Sequence, residues 1–318
     1  MAIYIDNKNR IKDILINVNG EKKNVVSAWV NKDGVPTKVF QANKGLKIVT
    51  WADGTDDEIA AMLDAHYAGI INIHDYWHVG DERVVHLSAM DAYANLNNES
   101  HVAQDVTMVL MNEGGKTLVA SINGVNECAF IVGQKEVLSD HIFEDNGLNI
   151  RRYGYMNDPS SDDTLPRGWY NCERRIWCNT TYRDALPLSL KRIFKQHINV
   201  SDYNGKSTQI QKDTIDYFAL PSEKEVLGTT KYTSEMIYNS CNQFTYYTLP
   251  NNTKKKIGIN GTIIGSYFLR CNGYLKDADY SEDDHLPYGN FCAINNNGFL
   301  GIFIYEANTN GFSPFGCI

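Results

Sequence analysis

The segment from Ile263 to Ile318 places the strongest constraint on how this chain can fold. Its apolar runs are short and are separated by Asn and Gly, a pattern typical of strands joined by tight turns. Phe299, Phe303 and Tyr305 are spaced so that they would share one face of a strand, and the aliphatic residues between them would occupy the other. One face must therefore meet a core. The other is covered by a further layer or presents large side chains to a partner.

Regular structure upstream of this segment is predicted to be short. Branched, turn-bounded runs predict strands at 48–51, 84–87, 106–110 and 129–132. Helices are predicted from the Thr55 cap to Gly69, over about 171–185, near 189–194 and just after Pro221. In the second of these helices the residues expected to face inwards are Cys172, Ile176, Trp177 and Leu186. These elements predict an α+β domain with long ordered loops.

Residues 1–45 are interpreted as a separate unit with a weak internal repeat. The sequence around Asn19-Gly20 aligns with the sequence around Asp33-Gly34 at a constant offset. Both dipeptides favour two-residue hairpin turns, because both turn positions need positive φ. A ladder of such hairpins buries too little surface to be stable alone. We therefore expect it to dock on the main domain at 46–318, on a copy of itself or on a larger assembly.

The charge balance excludes some classes of function. The 318 residues include 30 Lys and Arg against 38 Asp and Glu, a net charge of −8, so we expect no nucleic-acid partner. The one basic run, Lys254–Lys256, is interpreted as a solvated turn. No window approaches the roughly 18 apolar residues of a membrane span, and residues 1–13 lack the apolar segment of a secretory signal. We therefore expect neither membrane insertion nor a signal peptide, and the odd number of cysteines, seven, fits folding in a reducing cytosol.

Several motifs together resemble a domain family of unknown function that is common in prophage and tail-associated proteins of gut Firmicutes. The motifs are Trp77–Arg83 with His86–Ser88, Trp169–Asn179, Ile193–His197, Asp216–Glu225, Gln243–Tyr247 and Phe312–Ile318. The resemblance covers residues 46–318 and implies a C-type-lectin-like fold. This fold is similar to that of the formylglycine-generating enzymes and of retroelement-diversified phage tail proteins such as the major tropism determinant. It also implies that the last strands form a ligand-facing sheet and that residues 311–318 form a buried closing strand.

The resemblance implies a set of ligand-binding residues as well. In diversified relatives, adenine mutation of Asn codons in this region yields residues such as Tyr, Phe, Gly and Leu. The matching positions, together with Tyr280 and Tyr288 of loop 277–288, are predicted to bind the ligand. They are Tyr267, Leu269, Tyr274, Ala293, Phe299, Gly301, Phe303, Tyr305 and Glu306. The strand positions among them have an open alternative as core residues, whereas aromatic residues on loop 277–288 are typical of recognition. The chain departs from the family at 268–272, where relatives often have Trp-x-Arg-Ser-Pro: Arg270 is kept and the Ser-Pro is lost.

Sequence patterns for catalysis are weak. His74, Asp75 and His78 could bind a metal if they lay on a helix, but Gly80 indicates strand and turn, so these histidines are interpreted as structural. The adjacent acids Asp81-Glu82 are interpreted as a solvated turn. The C-terminal cysteines do not align with the copper-binding pair of formylglycine-generating enzymes, and there is no phosphate-binding loop or nucleophile elbow. We therefore predict no catalytic residue, no metal and no cofactor.

These observations favour a binding protein. The lectin-like domain would recognise a bacterial surface protein or glycan, and residues 1–45 would attach it to other tail or baseplate proteins of a phage or tail-like particle. By analogy with fibre tips we expect a homo-oligomer in the virion tail, with a trimer favoured. Two alternatives stay open. One is an enzyme of formylglycine-generating-like or cell-wall-acting type, identified by a cleft with several perturbed titratable groups. The other is a structural baseplate or decoration protein with its C-terminal aromatics in a subunit interface.

Overall fold

Helices and strands are mixed throughout the structure, which is a computed structural model. It describes residues 15–18, 21–24, 27–32, 35–41, 46–90, 102–140, 169, 173–202, 211–229, 242–250, 254, 256, 258, 266–272, 291–295, 298–303 and 310–318. The described part places the protein in the α+β class, as the sequence predicts.

The helices are short, apart from the first. They are α1 (Asp56–Tyr67), α2 (Glu173–Trp177), α3 (Arg183–Ala185), α4 (Leu188–Lys191) and α5 (Glu223–Leu227). A π-helical turn at Cys178–Tyr182 joins α2 to α3, and 3₁₀ turns lie at Ile73–Asp75 and Thr245–Thr248. The strands are β1 (Leu15–Val18), β2 (Glu21–Asn24), β3 (Ser27–Lys32), β4 (Val35–Gln41), β5 (Glu82–Leu87), β6 (Gln104–Glu113), β7 (Thr117–Ile122), β8 (Val125–Glu127), β9 (Phe130–Gln134), β10 (Leu138–Asp140), β11 (His197–Asp202), β12 (Gln211–Asp216), β13 (Phe218–Ala219), β14 (Ser266–Asn272), β15 (Phe291–Asn295), β16 (Leu300–Phe303), β17 (Asn310–Phe312) and β18 (Phe315–Cys317).

Helix α1 begins and ends where its sequence predicts. The Thr55 hydroxyl accepts from the Glu58 amide at 3.3 Å, and the Glu58 carboxylate accepts from the Thr55 amide at 2.9 Å. This reciprocal cap satisfies two amides that have no partner inside the helix. The inner face buries Ile59 and Met62. The chain then leaves the helix through Gly69, whose φ of 68° favours glycine.

The main core surrounds a five-stranded antiparallel sheet with the order β13-β18-β9-β6-β5. Strand β9 is buried at every position, as expected for an interior strand that is covered on both faces. The strands predicted at 84–87, 106–110 and 129–132 correspond to β5, β6 and β9. Strand β18 lies between β13 and β9, and residues 311–318 are all buried. The buried closing strand that the resemblance implied is therefore confirmed.

Two further sheets are formed by other strands between β7 and β17. One has the order β12-β11-β7-β8, and the other, here called the C-terminal sheet, has the order β10-β17-β14-β15-β16. The pairing of β14 with β17 is parallel, whereas the other pairings in these two sheets are antiparallel. Only Ser313 and Pro314 separate β17 from β18. The chain therefore passes directly from the C-terminal sheet into the central sheet, which couples the positions of the two.

Strands β1 to β4 form two antiparallel pairs, β1 with β2 and β3 with β4. Their pairing agrees with the predicted hairpins. The predicted turn residues, Asn19-Gly20 and Asp33-Gly34, lie outside the described residues. In the part of the chain that the structure describes, these four strands pair only with one another.

The strand predicted at 48–51 is wrong. This stretch is irregular and leads into a turn. Its backbone groups find partners outside any sheet: the Val49 carbonyl accepts from Trp77 Nε1 at 2.9 Å, and the Thr50 carbonyl accepts from the Gly54 amide at 3.2 Å. A side chain and a turn thus replace the strand ladder that an apolar run would otherwise need.

The second predicted helix is present as α2, the π-helical turn and α3, but its inner face was partly misassigned. Trp177 and Leu186 are buried as predicted, whereas Ile176 is 43% exposed. Ile176 and Trp177 are adjacent and point about 100° apart on a helix, so burial of Trp177 turns Ile176 towards solvent. Cys172 lies outside the described residues. The predicted helices near 189–194 and after Pro221 correspond to α4 and α5.

Candidate ligand-binding site

The C-terminal sheet contains five of the eleven residues predicted to bind a ligand, and a sixth, Phe299, directly precedes its edge strand. Tyr267 of β14 lies opposite Ile294 of β15, and Ile294 lies opposite Leu300 of β16. Residues opposite each other across a ladder share a face. Because Tyr267 and Ile294 are 2% and 0% exposed, this face meets the core.

The predicted ligand contacts at Tyr267 and Leu269 are therefore wrong. Leu269 is 0% exposed, and the Tyr267 hydroxyl donates to the Lys254 carbonyl oxygen at 3.1 Å inside the protein. Strand β14 is an interior strand, with β17 on one side and β15 on the other. Its apolar side chains are consequently needed for packing, which is the alternative that the sequence left open.

The remaining described positions lie on β15, on β16 or immediately before β16. Ala293 of β15 lies opposite Gly301 of β16, and Phe303 lies opposite Phe291. These positions alternate with Ile294 in the strand register. Phe299, immediately before edge strand β16, is 69% exposed. The structure thus brings Ala293, Phe299, Gly301 and Phe303 together at one edge of the sheet.

Five of the predicted ligand-binding residues lie outside the described residues, and nothing in the structure tests them. These are Tyr274, Tyr280, Tyr288, Tyr305 and Glu306. They stay predictions from the resemblance.

A buried ionic triad of Lys116, Glu225 and Arg270 holds β14 in place. Glu225 and Arg270 side chains are both 0% exposed. Both terminal nitrogens of Arg270 donate hydrogen bonds to the Glu225 carboxylate, and the bond from Nη2 is 2.9 Å long. Nη1 also donates to the Leu220 carbonyl oxygen at 3.1 Å. Lys116 donates to the same carboxylate. The triad therefore joins β14 to α5 and to the segment that precedes β7.

The Glu225 carboxylate also caps its own helix. It accepts from the Ser222 amide at 2.8 Å, while the Ser222 hydroxyl accepts from the Glu225 amide at 3.2 Å. Burial alone would raise the pKa of Glu225, but the charges and hydrogen bonds of Arg270 and Lys116 outweigh burial and hold that pKa well below its usual range. A carboxylate that is fully paired in this way serves structure and is poorly suited to proton transfer.

A second buried network centres on Asp216, the residue at the end of β12. Its carboxylate accepts hydrogen bonds from Arg175 Nε at 2.6 Å, Thr214 Oγ1 at 2.7 Å, Trp169 Nε1 at 3.0 Å, Asn199 Nδ2 at 3.1 Å and Asn179 Nδ2 at 3.2 Å. The Asp216 side chain is 0% exposed. Five donors around one buried carboxylate satisfy it and tie together β11, β12, the helical segment 175–179 and Trp169.

His197 lies beside both networks and is also buried. The side-chain nitrogen Nδ2 of Asn199 lies 3.1 Å from His197 Nε2. Burial, and then the positive charge of Lys116, lowers the pKa of His197 well below its usual range. His197 is therefore neutral near pH 7 and is shielded from solvent, which indicates a structural histidine.

Lys256 corrects the prediction that the basic run is a solvated turn. The residue is 7% exposed, and its Nζ donates to the Gln134 carbonyl at 2.6 Å and to the Ser313 hydroxyl. The ring centroids of Tyr247 and Tyr267 lie 5.9 and 5.6 Å from Nζ. Burial lowers the pKa of Lys256 to about 7. No local sequence pattern indicates this burial, because the hydrogen-bond partners Gln134 and Ser313 lie 122 and 57 positions away along the chain.

The histidines considered as metal ligands lie in a 3₁₀ turn and the loop after it. His74 Nδ1 is 3.8 Å from Glu113 Oε2, and the His78 amide donates to Asp81 Oδ2 at 2.9 Å. Across the described ranges, no group of three His, Cys, Asp or Glu side chains is placed to hold a metal ion. In the same residues, no helix has the length and apolar character needed to cross a bilayer.

Comparison with protein-family models, curated proteins and solved structures finds no match for this chain. The family resemblance therefore rests on the sequence motifs alone. Those motifs contribute much of the buried polar core, since Trp169, His197, Asp216 and Glu225 all belong to them. The burial of these residues indicates roles in packing and charge satisfaction.

Proposed function

We propose that this chain is a receptor-binding protein of a phage tail or tail-like particle, with a C-type-lectin-like domain that recognises a bacterial surface protein or glycan. One observation carries the proposal. The edge of the C-terminal sheet brings together Ala293, Phe299, Gly301 and Phe303, and Phe299 is 69% exposed. Exposed aromatic side chains on a fixed backbone supply large contact area at low entropic cost.

A rigid support beneath this edge favours recognition. The buried triad fixes β14, and β15 is paired with β14 on one side and β16 on the other. A surface that is already ordered before binding loses less conformational freedom when it meets its partner. The same support would allow surface residues to vary without loss of the fold, which agrees with retroelement diversification.

The state of the buried titratable groups weighs against the enzymatic alternatives. Glu225, His197 and Lys256 have shifted pKa values, yet each is buried and bonded to other groups of the protein. A catalytic acid or base must reach its substrate. These three groups therefore support the fold, and the exposed edge of the C-terminal sheet remains the better candidate for function.

The proposal is tested by removing aromatic side chains from this edge. We expect Phe299→Ala combined with Phe303→Ala to weaken binding to bacterial cells by about 30-fold or more, since hot-spot residues contribute roughly 2 kcal/mol or more. Binding of fluorescently labelled protein to intact cells of a panel of gut Firmicutes is measured by flow cytometry. Leu188→Ala is the matched control, because Leu188 is an 82% exposed aliphatic residue outside this sheet.

The outcome is read together with thermal unfolding. The proposal predicts that the double variant loses binding while its melting temperature stays within a few degrees of the unmodified protein. It is contradicted if the double variant binds as well as the Leu188→Ala control. Collapse of folding would show that these residues are core, and failure of the unmodified protein to bind any cell type would count against receptor binding.

A further inference from the structure

A cavity of about 290 Å³ lies between α1, the segment that follows α4 and the end of β7. Its apolar lining comes from Leu63, Tyr67, Ile122 and Ile193. Its volume is near the lower limit of the roughly 300–1,000 Å³ that small-molecule sites occupy. The cavity is therefore of a size for one small metabolite, and it is separate from the C-terminal sheet.

Four charged side chains line the cavity, two of each sign. Asp57 and Arg192 neutralise each other, because Arg192 Nη2 donates to the Asp57 carboxylate. Asp64 and Lys195 are left on the lining with opposite charges. Within the described residues neither takes part in an ion pair, and Lys195 Nζ donates to the Arg192 carbonyl oxygen at 3.3 Å.

The walls that hold these two charges are fixed by the core. The Lys195 amide donates to the Cys317 carbonyl at 2.7 Å, and the Tyr67 hydroxyl donates to the Ile318 carbonyl at 3.0 Å. The Asn123 side chain donates to the Tyr67 carbonyl at 3.3 Å, which positions the β7–β8 turn beside the end of α1. The cavity is thus formed before any ligand binds, which lowers the cost of binding.

The charge pattern restricts the class of ligand. An anion would meet Lys195 but would be repelled by Asp64, and a cation would have the opposite difficulty. A neutral apolar molecule would displace water from both charges without replacing it. A ligand with one ammonium and one carboxylate complements both side chains, and an apolar substituent would contact Ala61 and Ile122, apolar lining residues that are not buried.

We propose that this cavity binds a free α-amino acid with an apolar side chain, its ammonium against Asp64 and its carboxylate against Lys195. The inference is independent of the proposed receptor-binding role, because the cavity lies outside the C-terminal sheet. The binding step is non-covalent.

The first test uses the intact protein and three ligands of similar shape. Leucine has both charges, isoamylamine has only the ammonium, and 4-methylpentanoate has only the carboxylate. Isothermal titration calorimetry at pH 7 should give leucine an affinity at least about 10-fold higher than either analogue, because each analogue lacks one of the two charged contacts. Equal affinities for the three ligands, or no binding of leucine up to its solubility limit, would overturn the proposal.

The second test assigns each charge to its residue. Asp64→Asn should weaken leucine by about 10-fold and leave 4-methylpentanoate unchanged or tighter, and Lys195→Gln should weaken leucine and leave isoamylamine unchanged or tighter. Lys135→Gln is the control, because Lys135 is an exposed lysine that is paired with Glu82 away from the cavity lining. Leucine affinity that neither variant alters more than the control does would refute the assignment. If a variant does not fold, as judged by thermal unfolding, the ligand series on the unmodified protein decides the question.

Discussion

The substitution Arg270→Met tests whether the buried triad supports the C-terminal sheet. Methionine keeps most of the aliphatic volume of arginine, but it removes the two hydrogen bonds to Glu225 and the one to the Leu220 carbonyl. Breaking a buried ion pair by removing one partner costs about 3–5 kcal/mol, since the other charge stays buried. Lys116 still neutralises part of the Glu225 charge, so we expect a loss of about 3 kcal/mol in the free energy of unfolding at pH 7.

The pH dependence gives this prediction a sign. In the unmodified protein the pKa of Glu225 is held below its usual range. The stability that this contributes is present above the pKa of the unfolded state and is lost as pH falls towards the pKa of the folded state. In Arg270→Met the folded-state pKa rises, so less stability is lost on acidification. The difference between the two proteins should therefore shrink between about pH 5 and pH 3.

Urea unfolding followed by tryptophan fluorescence at several pH values measures both effects. Lys135→Met is the matched control, because it removes an exposed ion pair with Glu82 at 2.7 Å, and such pairs contribute only about 0–1 kcal/mol. The reasoning is refuted if Arg270→Met is no more destabilised than this control at pH 7. It is also refuted if the difference from the unmodified protein grows as the pH is lowered.

Three further predictions concern other parts of the chain. Lys256→Met should flatten the rise in stability between about pH 7 and pH 10. The lysine pKa is lowered in the folded state, so the folded protein releases this proton at a lower pH than the unfolded chain does. Thermal unfolding in a buffer series measures the slope, and an unchanged slope would show that Lys256 does not cause the rise. Gly311→Ala should lower the free energy of unfolding by at least about 2 kcal/mol, since the added Cβ would collide with the Leu138 carbonyl oxygen. Gly69→Ala has open space around it and should cost only the roughly 1–2 kcal/mol of the left-handed conformation. Equal losses of stability in urea unfolding would contradict the collision. Deleting residues 1–45 should leave the melting temperature of the main domain nearly unchanged and abolish its incorporation into a particle. A truncated protein that still co-purifies with the particle would show that other residues attach it.

Local signals in the sequence predicted the elements whose causes are local. Thr55 and Ser222 each carry a glutamate three residues later, and both helices begin with the reciprocal cap that this spacing favours. The second role of Glu225 could not be predicted, because its partners lie 45 and 109 positions away along the chain. Arg270 matches the pattern that the resemblance implies, but that pattern names no partner for it.

The division of the C-terminal residues into core and surface depends on register, which the sequence does not specify. Alternation predicts that Phe299 and Phe303 share one face of their strand. It does not predict whether this is the same face of the sheet as the one on which Tyr267 lies. The register decides this by pairing Tyr267 with Ile294. The burial of Lys256 was missed for a related reason, since it depends on side chains brought together only by the fold.

Hydrogen–deuterium exchange of the intact protein, with and without a bacterial surface extract that it binds, tests the central claim most directly. We expect binding to slow amide exchange at 291–295 and 298–303, and to leave exchange in α1 and β9 unchanged. Protection confined to segments outside the C-terminal sheet, or bound extract with no change at 291–303, would contradict the claim that this sheet edge meets the ligand.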